Sequence, residues 1–91
     1  MVFFLGSQFP LFHFWGPTAG IQSTKWIVDA TIEVEKTYSP TLSLVYIPHL
    51  DYSMQRLGPN HKSISQELRA VDHEVGRLIE HCSTQEIDVC I

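Results

Sequence analysis

The chain has 91 residues, 44% of them hydrophobic and 18% charged, with six Lys or Arg against ten Asp or Glu and a net charge of −4. That is material for one small domain, too apolar for a disordered or collagen-like chain. The basic residues are scattered and do not interleave with aromatics, which argues against nucleic acid or an acidic membrane surface as partner.

Residues 1–15 are rich in phenylalanine, yet Gly6, Ser7, Gln8 and Pro10 interrupt the apolar run and no basic region precedes it. Neither a secretory signal nor a membrane span fits. Residues 1–22 read as a loop with aromatic anchors in a soluble chain, its aromatics from Phe9 to Trp15 packing onto the body of the fold or lining a pocket. Residues 23–91 form the rest of a single partial domain.

Ser23 is placed to cap a first helix after the turn formers Gly16, Pro17 and Gly20. Across residues 26–38 the pattern fits two periods: Ile27, Ala30 and Val34 recur at helical spacing, whereas Val28, Ala30, Ile32 and Val34 alternate with polar residues as in a strand. Length favours the helix. Ser39-Pro40 ends it. Residues 42–47 are almost continuously apolar and aromatic, the pattern of a strand buried on both faces, and Pro48 closes the run.

Residues 49–62 read as a polar loop with a Gly58-Pro59-Asn60 turn. A long amphipathic helix follows, its stripe made by Ile64, Leu68, Val71, Val75, Leu78, Ile79 and Cys82, with Ser63 and Gln66 as a capping box and Gly76 suited to close packing. Residues 87–91 read as a second strand. Cys82 and Cys90 make neither a Cys-x-x-Cys pair nor a disulfide framework; they read as buried free thiols, compatible with a reducing, cytoplasmic compartment. Helix, strand, helix, strand predicts an α/β fold: a partial parallel sheet of about two strands with two crossover helices. Two strands cannot cover both faces of a parallel sheet, so the expectation is a fragment of a larger α/β enzyme, or a chain that self-associates through open sheet edges.

Ligands of open α/β sheets bind beyond the carboxyl ends of the strands, here the segment PHLDYSMQ, residues 48–55. Asp51 is the natural ligand for a hard or borderline metal and His49 an imidazole close by. The competing reading has Asp51 capping a turn and His49 on the surface. His13 reads as packed, His61 as flanking a turn, and His73 and His81 as solvated. Arg77 stands where a zinc-binding helix would need a second histidine after His73-Glu74. No phosphate-binding glycine loop, nucleophile elbow or Ser/His/Asp triad is present.

Residues 43–80, SLVYIPHLDYSMQRLGPNHKSISQELRAVDHEVGRLIE, resemble the nucleotide pyrophosphatase and type I phosphodiesterase branch of the alkaline phosphatase superfamily. The shared features are a buried strand, the Asp51 loop, Gly58-Pro59, and a helix with the internal Asp72; the lead-in FPLFHFWGPTAGIQSTKWI is similar as well. The resemblance implies a metal-dependent phosphodiester or nucleotide pyrophosphate hydrolase of alkaline-phosphatase-like fold, acting on a phosphoester or nucleotide substrate. Asp51 matches a carboxylate on one of two catalytic metals, usually zinc. A histidine on the same metal commonly stands four positions later; here it is Gln55, a weak neutral donor. The family's Thr or Ser nucleophile has no counterpart, and its Asp-His pair would lie past Ile91, so the chain alone is expected to be inactive. Asp72 reads as structural and Arg56 as solvated or carboxylate-paired. The alternative is a non-catalytic α/β interaction module that completes its sheet with a partner chain.

Overall fold

The computed structural model describes residues 8–11 and 20–91, and among these residues the chain forms three α-helices. The first, α1, is Ile21–Tyr38. Its ambiguous pattern settles as helix because 3.6 residues per turn gathers Ser23, Thr24, Val28 and Ala30, all buried, onto one broad face. The helix starts earlier than Ser23 suggests. Gly20 is the N-cap, and the Ser23 hydroxyl donates back to the Gly20 carbonyl at 3.2 Å instead of capping. At the other end Ser39 turns left-handed with φ 46°, its N–H closing on the Glu35 carbonyl at 2.9 Å, and Pro40 stops the helix as expected.

The buried strand expected at 42–47 does not exist. Leu42 is 75% exposed, Leu44 90% and Tyr46 69%, and the segment has no regular structure. Among the described residues no second strand is available to pair with it, so its backbone amides have no ladder and β-propensity alone forms nothing. Leu42, Leu44 and Val45 instead run beside Trp26, Ala30 and Val34 of α1, lining a shallow hollow of about 390 Å³.

The presumed polar loop contains a second helix, α2, His49–Leu57. Pro48 precedes it, Asp51 sits in its first turn, Arg56 in its last, and Gly58 ends it with φ 84°. Those signals suit the helix dipole and a glycine stop. The third helix, α3, is Ile64–Thr84. It matches expectation in place and length, though not in detail. Ser63 stays in helical geometry without a side-chain cap, and its N–H goes to His61 Nδ1 at 3.1 Å, so the Ser63–Gln66 capping box does not form. Leu68 and Ile79 fall outside the contact face, being 53% and 39% exposed. Gly76 is exposed with open space where a side chain would stand, so close packing does not explain it. Past α3 the Ile87 N–H folds back onto the Cys82 carbonyl at 2.8 Å, and no strand follows.

The architecture of the described residues is therefore helical, not α/β, with α3 packed against both α1 and α2. Self-association through sheet edges has no edge to use, and the α/β interaction module loses its basis with it. The apolar core is small: Val28, Ala30 and Ile64 are the buried hydrophobic residues described. Polar links supplement it. Arg77 of α3 reaches Asp29 of α1 at 2.8 Å, His81 of α3 meets Glu35 of α1 at 2.5 Å, and His49 of α2 meets Glu67 of α3 at 2.5 Å. Phe9 stacks edge-on against Trp26, ring centroids 5.1 Å apart, which supports packing for that aromatic; Phe12 to Trp15 and His13 lie outside the described residues. Cys82 and Cys90 are free as expected, but neither is buried: Cys82 is half-buried and Cys90 exposed.

Candidate functional site

Asp51 and Gln55 stand one turn apart on α2, both exposed. A helix advances about 100° per residue, so an i,i+4 pair lies on one face about 40° apart. On the same count His49 and Ser53 form a second i,i+4 pair on the opposite side, and these two are the buried residues of α2, 4% and 2% exposed. The helix thus turns one polar pair into α3 and offers the other to solvent. Asp51 also gains from its position in the first turn, near the positive end of the helix dipole, and its N–H bonds to the Pro48 carbonyl at 3.0 Å.

His49 is not the surface residue the sequence suggests. Its imidazole is engaged through Nε2 with Oε2 of Glu67, side chains 3% and 27% exposed, and so faces away from Asp51. It is not a companion ligand. The other candidates scatter. Arg56 is exposed at the end of α2, Asp72 and His73 are exposed on α3, and His61 supports the turn before α3. His81, expected to be solvated, is half-buried against Glu35 instead.

The second polar centre joins α1 and α3. Arg77 donates from Nε and Nη2 to the two oxygens of Glu74 at 2.9 and 2.7 Å while Nη2 also reaches Asp29. This two-pronged hydrogen bonding, against the opposing cost of burial, holds the Glu74 carboxyl below its ordinary range. The same bonds, to Glu74 first and Asp29 second, raise the Arg77 guanidinium further above its already high value. Glu74 is 5% exposed and every buried side-chain N or O described has a partner, so this is a satisfied structural network with no free group for chemistry.

The donors present do not make a metal site by themselves. Asp51 brings one carboxylate and Gln55 one neutral amide, and no group of three His, Cys, Asp or Glu side chains among the described residues is arranged to hold an ion. Divalent zinc wants four donors, usually three or four from protein. The sequence missed the His49–Glu67 and His81–Glu35 pairs, whose partners are 18 and 46 residues apart, because nothing local signals such a contact.

In comparison with known proteins, the family model described as Type I phosphodiesterase / nucleotide pyrophosphatase aligns with residues 6–91. No curated protein and no solved structure matches the chain.

Proposed function

Because this chain belongs to the type I phosphodiesterase / nucleotide pyrophosphatase family, we propose that it is part of a metal-dependent phosphoester hydrolase and inactive by itself. The observation that carries the reading is the exposed Asp51–Gln55 face of α2, inside the matched region and, among the described residues, without an internal partner for either side chain. Its role is to contribute one carboxylate and one amide to a phosphate-processing centre, the other donors coming from outside the described residues. Asp51 is the anionic donor for zinc or a similar divalent cation. Gln55 supplies a neutral oxygen or an N–H, so it holds the ion weakly or contacts a phosphate oxygen or bound water.

Two results are expected of the purified chain. A zinc titration followed by NMR shifts the Asp51 and Gln55 signals with weak, millimolar-range affinity, about 4 kcal/mol of binding free energy, and Asp51→Ala removes those shifts. A nitrophenyl phosphodiester incubated with zinc and the chain shows no turnover above zinc alone. Zinc shifts centred elsewhere, or Asp51-dependent turnover, would overturn the reading.

A further inference from the structure

We propose that Glu67 is a positioning residue for the Asp51–Gln55 face: through the buried His49 it fixes the rotation of α2 on α3. The proposal rests on the functional reading above, since it concerns the presentation of that same face.

The argument begins with what α2 has to hold it. It is nine residues long, below the length at which an isolated helix persists in water, so its persistence depends on docking. Its substantial packing partner is α3. The residues it buries are not apolar; they are His49 and Ser53. Apolar contact is non-directional and would let a short helix roll, whereas a hydrogen bond to a carboxylate has a required direction. The His49–Glu67 contact therefore defines the angle, and a roll of one residue position, about 100°, would carry Asp51 and Gln55 off their present face.

The link is also costly to break. His49 is buried with its ring nitrogen satisfied by Glu67, and no buried side-chain polar atom described is left without a partner. Truncating Glu67 would orphan an imidazole nitrogen that water cannot readily reach. The remedy available to the protein is for α2 to lift or turn, which displaces Asp51 without touching it.

The test uses the whole 91-residue chain and two variants, Glu67→Ala and Glu67→Gln, with two measurements. Amide hydrogen exchange is followed residue by residue, and zinc is titrated with NMR detection at Asp51 and Gln55. Expected for Glu67→Ala is exchange about tenfold faster in α2, little change in α1, and a severalfold higher zinc concentration for half-saturation. Glutamine keeps a hydrogen-bonding oxygen in place, so Glu67→Gln should restore most of both. Unchanged exchange in α2 would overturn the latch. Faster exchange with wild-type zinc response would overturn the positioning role while leaving the latch. Absence of Asp51-dependent zinc shifts in the unmodified chain would sink the functional reading instead, whatever the exchange shows.

Discussion

Arg77→Ala should lower the stability of the helical assembly by about 2 kcal/mol, a fall of roughly 10 °C in midpoint for a chain of this size. The guanidinium serves two carboxylates at once and, among the described residues, joins Glu74 to Asp29. Its removal leaves Glu74, 5% exposed, as a buried charge without its strongest donor. Breaking a fully buried pair costs more, but Arg77 itself is 33% exposed, so the figure is discounted for solvent. The pH dependence has a definite sign. Glu74 titrates below its ordinary range in the folded protein, so its contribution is present above the unfolded carboxylate pKa and is lost as pH falls through the depressed folded value. The wild type should therefore lose this stability below about pH 4. In Arg77→Ala burial acts unopposed by the guanidinium, so lowering the pH should narrow the gap between the two proteins. Thermal unfolding by circular dichroism at several pH values between 3 and 7 reads this directly. Equal midpoints at neutral pH would refute it.

The larger effect belongs to Val28. It is fully buried, and the apolar core described holds only Ala30 and Ile64 beside it. Val28→Asp would place a carboxylate where neither water nor a partner is supplied, a cost of several kcal/mol. Small domains have on the order of 5 to 15 kcal/mol in total, and one with so few buried apolar residues belongs near the bottom of that range. The variant should lose cooperative unfolding altogether, while Val28→Ala, costing about 2 kcal/mol, should retain it. A cooperative transition in Val28→Asp at the wild-type temperature would show that α1 does not need this contact.

The long helices were legible because their signals are local: a recurring apolar stripe for α3, and Ser39-Pro40 as the stop for α1. Residues 42–47 suggest a strand that does not form, because an apolar β-prone run says only that burial would be favourable. Whether a pairing partner exists is a property of other residues. α2 is hard to read for the opposite reason. Nine mostly polar residues gave little periodicity, although Pro48, Asp51, Arg56 and Gly58 mark both its ends. For the site, the chain position of Asp51 and Gln55 was readable and their shared face followed once α2 was known. The burial of His49 was not readable, since its cause, Glu67, lies 18 residues away.

That difference in separation has a kinetic side. The His49–Glu67 contact closes a segment of 18 residues and the Asp29–Arg77 contact one of 48. Closing the shorter loop forfeits about 0.9 kcal/mol less chain entropy. The α2–α3 hairpin should therefore condense first and α1 arrive afterwards, so that substitutions at Glu67 slow folding while those at Asp29 chiefly speed unfolding. Stopped-flow kinetics of the two variants would decide the order; the reverse partition would mean that α1 nucleates the fold. In the expected order of events the Asp51 face takes shape early on the way to the native state, ahead of the helix that completes its core.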